Sequence, residues 1–197
     1  MDLIVKSRHS RGARPKRWNR EEYVRLYELG FFGERKVELI GGVIDIMSPQ
    51  KNDHVISVER TFDVMRLVYG PAHWVRNQAT LNLGKHFMPD PDIAVLKEAM
   101  QDVGDKYPTS ALLVIEVSDT TLSRDRRKGS MYAAHGIADY WIVNLVDRQV
   151  EVYRNPTQDA DQPFGFGYGD KHTFNPGATL HPLSAPQANV RVDDLLP

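Results

Sequence analysis

The run LLVIEVSD, residues 112–119, constrains the fold of this chain more than any other stretch. A continuous apolar run of this length, rich in Val and Ile, is the pattern of a strand buried on both faces, yet Glu116 sits inside it. An ionised carboxylate in that setting is costly unless it is paired or bound to a metal. Glu116 therefore needs a partner, and two segments offer one. Upstream, PDPDIAVL puts Asp92 immediately before another apolar strand, so that two neighbouring strands would bring Asp92 and Glu116 to one end of a sheet. Carboxylates converging in this way repel each other unless they share a proton or bind a hard cation such as Mg²⁺. Downstream, RDRRKGSMYAAHG places Lys128 on the helix that follows, where an ammonium can orient water or offset developing negative charge beside a hydrolytic metal.

Around these segments the pattern predicts an α/β (α+β) domain with a mixed β-sheet flanked by helices. In WNREEYVRLYELG, Asn19 precedes Glu22 by three positions, a capping box, with Trp18 and Tyr23 placed as a hydrophobic staple and a helix running from about Arg20 to Leu29. VELIGGVIDIM reads as a hairpin turning at Gly41 and Gly42. Val55, Val58, Phe62, Met65 and Tyr69 recur at helical spacing, which lays one face of a helix over residues 53–69 on the sheet. Strands are expected at 73–76, 79–83, 93–96 and 112–117, then a helix over 126–135, the strand DYWIVN and its antiparallel partner VEVYR. From Asn155 to Pro186 the chain is rich in Pro, Gly, Asp and Gln, so loops with one or two peripheral strands are expected.

A length of 197 residues suits one domain, here 18–197, preceded by a basic arm over 1–17. Lys6 to Arg20 holds seven Lys or Arg and no acid, which leaves 18 basic against 26 acidic residues elsewhere. Such an arm either grips phosphates or is a solvated tail. Cysteine is absent, which excludes a thiol nucleophile or thiolate metal site and fits the reducing cytoplasm. No apolar run approaches membrane-spanning length, so no membrane partner is expected.

The ordered set of Glu38 in VELIGGVI, Asp92 in PDPDIAVL, Glu116 in LLVIEVSDTTL, Lys128 four before Tyr132, then GIADYWIVNL and VEVYR, resembles the Uma family of restriction-endonuclease-like proteins, within the PD-(D/E)XK nuclease superfamily. The likeness runs from about Trp18 to VDDLL near the C-terminus and does not cover the basic arm. It implies an αβββαβ core and Mg²⁺-dependent hydrolysis of DNA phosphodiester bonds, with Mn²⁺ able to substitute. Asp92 and Glu116 would then be metal ligands, Lys128 a catalytic lysine migrated to the helix because Ser118 fills its usual place, and Glu38 an upstream acid that completes the site or positions water. One departure is a segment between Leu122 and Lys128 a residue shorter than the family pattern. A helix shifted by it would present Arg126 or Arg127 instead, and arginine stays protonated.

Duller readings stand beside each residue. Asp92 after Pro91 suits a turn, Glu116 a structural ion pair with an arginine, and Lys128 a solvated helix face. His54 reads more readily as a polar first-turn residue than as a phosphate or metal contact, since no second His stands at ligand spacing. Arg124, Arg126 and Arg127 either contact phosphates or form a screened face. Trp18, Trp74 and Trp141 read as core. The rival function is a nucleic-acid- or protein-binding module on the same fold without hydrolysis. A homodimer would suit an enzyme that cuts two strands, but no heptad or large apolar stripe calls for one.

Overall fold

The computed structural model describes residues 15–197. The basic arm expected over 1–17 lies outside the described residues except for its last three, two of which are held in place: Lys16 pairs with Glu22 at 2.5 Å, and Arg17 Nη1 donates to the Gly41 carbonyl at 2.7 Å.

Helix α1 (Arg20–Glu28) begins with the expected capping box: Asn19 Oδ1 accepts from the Glu22 N–H, and the Glu22 carboxylate accepts from the Asn19 N–H, both at 3.0 Å. Strands β1 (Val37–Ile40) and β2 (Val43–Ile46) form the predicted hairpin. Its two turn residues, Gly41 and Gly42, have φ of 60° and 78°, the left-handed pair that a tight two-residue turn demands. The hairpin is a two-stranded sheet of its own, tied to the rest of the chain by a bridge between Leu39 and Met88.

The main sheet has six strands: β3 (Val75–Asn77), β4 (Ile93–Val95), β5 (Leu113–Ser118), β6 (Asp139–Asn144), β7 (Gln149–Gln158) and β8 (Phe166–Phe174), in that spatial order. Only β5 and β6 run parallel, and α4 (Leu122–Ala134) makes the crossover between them; α2 (Asn52–Tyr69) lies ahead of β3, and the short α3 (Met100–Val103) falls between β4 and β5. This is the expected mixed sheet flanked by helices, and from α2 to β6 it follows the αβββαβ order apart from that short helix. The alternation of strand side chains divides the core in two. Ile93, Leu113, Ile115 and Val117 pack with Val58, Met65 and Tyr69 of α2, while Ala94, Val114 and Ile142 pack with Met131, Tyr132 and Ala133 of α4. Glu116 is in step with Val114, so it belongs to the α4 face. The remaining small elements, β9 (Thr179–Leu180), β10 (Val190–Arg191) and α5 (Val192–Leu195), close the α2 side, where Ser57 Oγ donates to the Leu195 carbonyl at 2.6 Å. No helix among the described residues is long and apolar enough to cross a membrane.

Two expectations need correction. Residues 79–83 form no strand: Leu81 and Leu83 donate to the carbonyls of Pro89 and Phe87, but Pro89 and Pro91 have no N–H to return, so no ladder builds. Helix α4 starts at Leu122 rather than 126, because the Thr121 carbonyl accepts from the N–H groups of both Arg124 and Asp125. The polar stretch after Asn155 carries the expected peripheral strands: β8 forms the edge of the main sheet, pairing only with β7 and with residues 169–173 exposed, and the short β9 follows it.

Candidate active site

Glu116 is buried, at 3% exposure, near the end of β5. Its Oε1 accepts from Lys128 Nζ at 2.9 Å and from the Tyr132 hydroxyl at 2.8 Å, one turn further along α4. Its Oε2 lies 3.4 Å from the Asp92 N–H. Asp92 stands immediately before β4, its Oδ2 accepting from the Val117 N–H at 2.8 Å, which aligns the two carboxylates across the β4–β5 pairing. Asp92 Oδ1 faces His54 Nε2 and Gln78 Nε2, each at 3.3 Å. Glu38, on β1 and wholly buried, brings the hairpin into the group: its Oε2 is 3.0 Å from Lys128 Nζ, and its Oε1 is paired with Arg124. The fold thus gathers all four sequence-predicted residues, Glu38, Asp92, Glu116 and Lys128, at one end of the sheet.

The electrostatics follow from burial. Removal from water, opposed by Lys128 and reinforced by Asp92, Asp125 and Glu38, pushes the Glu116 carboxyl up to about 8. Burial works to lower the Lys128 ammonium, but Glu116, Glu38 and Asp125 together outweigh it and hold its pKa above the usual lysine value. Burial also works to lower His54, and its hydrogen bond and charge interaction with Asp92 reverse the direction. Asp125, whose Oδ2 accepts from Thr121 Oγ1 at 2.6 Å, is raised mainly by burial.

When ionised, Glu38, Asp92, Glu116 and Asp125 outnumber Lys128 and Arg124 by two while His54 beside Asp92 is neutral, an excess that one divalent cation would balance. Among the described residues no group of three or more His, Asp or Glu is arranged to hold a metal. A cation here would rely on two carboxylates and fill its remaining positions with water and substrate oxygens. That donor set fits Mg²⁺, which takes one or two carboxylates and keeps several waters, and does not fit a closed zinc site.

Some of the site escaped sequence reading. Tyr132 carries a signal in its four-residue spacing from Lys128, whereas the contact of His54 with Asp92 joins positions 38 apart and has no local signature. The arginine cluster separates: Arg124 reaches Glu38, Arg126 pairs with Glu151 through two bonds of 3.0 and 2.7 Å, and Arg127 lies 6.0 Å over the Phe164 ring. Trp141 is wholly buried, and Trp18 and Trp74 pack against core clusters as expected.

Comparison with known proteins agrees with this arrangement of segments. A family model described as "Putative restriction endonuclease" matches residues 20–191. The chain belongs to the Uma2 family. Among solved structures, the crystal structure of a "putative nuclease belonging to DUF820" from Anabaena variabilis ATCC 29413 is similar, with a TM-score of 0.69 and 17% identity over 89% of this chain and 95% of that one. At that identity the likeness carries the Uma2 fold and nothing further. A search of curated proteins found no match.

Proposed function

We propose that this Uma2 protein is a divalent-metal-dependent endonuclease that hydrolyses DNA phosphodiester bonds, with Asp92 and Glu116 holding Mg²⁺ and Lys128 acting beside them. The observation that carries the proposal is the convergence of Asp92, Glu116 and Lys128 on one cleft of about 100 Å³. Bound Mg²⁺ or Mn²⁺ would polarise the scissile phosphate and lower the pKa of a water.

The chain's own residues supply orientation and charge. Val117 N–H fixes the Asp92 carboxylate, and the Tyr132 hydroxyl and Lys128 fix that of Glu116. Because three carboxylates keep Lys128 protonated, its role is to donate to water or to the phosphate oxygens as negative charge develops, not to remove a proton. Glu38, clamped between Arg124 and Lys128, holds that ammonium toward Glu116. A shortened segment that turned Lys128 away would favour the binding module. Lys128 lies 2.9 Å from Glu116, which supports the hydrolytic reading.

The test is cleavage of single-stranded, duplex and branched DNA with Mg²⁺ or Mn²⁺, using a chelator and Asp92→Ala as controls. Cleavage removed by both controls is expected. Cleavage that survives Asp92→Ala and Glu116→Ala would overturn the site, and metal binding without cleavage of any substrate would favour the binding module.

A further inference from the structure

The cleft above Asp92 and Glu116 is small. Pockets that enclose drug-sized ligands span about 300–1,000 Å³, against about 100 Å³ here. One wall is residues 47–51, between β2 and α2, and the facing rim is the turn from β5 into α4. Across the mouth, Lys51 Nζ stands 2.8 Å from Asp119 Oδ2. Behind that wall, residues 47–50 also line a second hollow of about 490 Å³ whose opposite side carries Arg35 and Lys36. The segment is therefore a partition between two hollows, and displacing it would join them into one groove that carries Arg35, Lys36 and Lys51 beside the acids Glu34 and Asp119.

The partition has few ties, one of them a contact of 3.1 Å between Gln50 Nε2 and His54 Nε2. The Met47 N–H donates to the Lys36 carbonyl at 2.9 Å, and the Lys51 carbonyl accepts from Val55 at 3.1 Å. Between those anchors no backbone hydrogen bond ties residues 48–50 to the rest of the described chain. The Lys51–Asp119 pair is open to water, with side-chain exposures of 68% and 25%. Exposed pairs of that kind contribute little to stability, so it can be exchanged for another anion at little cost.

We infer that residues 47–51 are a movable strap that shuts the cleft through the Lys51–Asp119 ion pair, and that on opening Lys51 exchanges Asp119 for a phosphate of the DNA strand. The inference rests on the nuclease reading above. It assigns Lys51 a substrate-positioning role, while a phosphate that replaces Asp119 also keeps the strap open over the bound strand.

The chain has no cysteine, so the double variant Lys51→Cys/Asp119→Cys carries only two thiols. These are joined by a short bis(methanethiosulfonate) linker, with the same variant capped singly at each thiol as the control. Expected on a duplex plasmid with Mn²⁺ is cleavage by the capped control, loss of cleavage on linking, and recovery on reduction. Mn²⁺ binding measured by calorimetry stays unchanged throughout, because the closed cleft still admits an ion and its waters. In parallel, Lys51→Ala weakens binding to a duplex oligonucleotide in chelator and lowers the slope of log affinity against log salt by about 0.9, the release of one phosphate counterion. Asp119→Ala does not weaken binding. A linked protein that cuts as fast as its capped control overturns the strap, and an unchanged salt slope for Lys51→Ala overturns the phosphate exchange. A wild-type protein that neither binds nor cuts DNA overturns the nuclease reading, and this inference with it.

Discussion

Replacing Lys128 with methionine separates a buried structural charge from a lysine on a solvated face. Lys128 is 4% exposed, and its ammonium lies 2.9 Å from Glu116 and 3.0 Å from Glu38. Lys128→Met keeps most of the aliphatic stem and removes the charge, leaving Glu116 facing Glu38 with no cation between them. Removing one partner of a buried pair costs about 3–5 kcal/mol. Only one such cost applies, because Glu38 retains Arg124. At about 2–4 °C per kcal/mol for a chain of this size, the melting temperature should fall by roughly 6–20 °C. The loss must depend on pH. Without the ammonium, the folded-state pKa of Glu116 rises further above its unfolded value, and a raised carboxyl favours the folded state below the unfolded pKa and loses that contribution as pH rises through the folded one. The variant should therefore approach wild type in acid and fall furthest behind above the value of about 8 that Glu116 has with Lys128 present. Urea unfolding followed by circular dichroism, well below and well above that pH, measures the difference. A loss under about 1 kcal/mol, the scale of an exposed pair, with no growth as pH rises would refute the reasoning.

Two further outcomes follow from neighbouring contacts. Tyr132→Phe removes the hydroxyl that donates to Glu116 Oε1 at 2.8 Å; loss of such an outer hydrogen bond typically costs about 10–100-fold in metal affinity or activity, so calorimetry should show weaker Mn²⁺ binding alongside slower cleavage, and unchanged binding would remove Tyr132 from the site's support. Glu151→Gln, two strands from Glu116 across Ile142, should lose about 1.5–3 kcal/mol at neutral pH, since Glu151 accepts from Arg126, Tyr153 and Asn144. Burial pushes Glu151 up, but those donors outweigh it and lower its pKa, so its contribution is full above the ordinary carboxylate value of 4.5 and fades as pH falls through the folded value. Urea curves for wild type and variant should converge in acid, and a gap that persists there would show that the ionised form of Glu151 is not what stabilises the fold.

The parts of the fold that sequence reading recovers are those where local chemistry and tertiary packing agree. Asn19 and Glu22 cap α1 within a single turn, and Gly41 and Gly42 supply the backbone their hairpin needs, so neither depends on distant partners. Glu116 is legible for the opposite reason: it violates the apolar pattern of β5, and the violation points to the site. What stays hidden depends on partners remote in sequence. Leu81 and Leu83 alternate as a strand does and are buried as a strand's would be, but the chain facing them contains prolines that cannot complete a ladder. Strand β8 is legible only as a peripheral strand without bounds, because its exposed residues are chosen by water rather than by the core. His54 looks like an ordinary first-turn polar residue until the start of α2 is packed beside Asp92.

The basic stretch before Gly129 shows how much meaning helical geometry adds to composition. Positions 124, 128 and 132 are four apart, so they form one stripe along α4, since side chains at that spacing lie on the same face. That stripe meets the two buried glutamates in order: Arg124 on Glu38, Lys128 on both Glu38 and Glu116, and Tyr132 on Glu116. Arg126 and Arg127 fall off the stripe and reach Glu151 and the Phe164 ring instead. The register also keeps Lys128 turned toward Glu116: the segment from Leu122 to Lys128 is helical throughout, so Arg124, Lys128 and Tyr132 hold their four-residue spacing and stay aligned on the carboxylates.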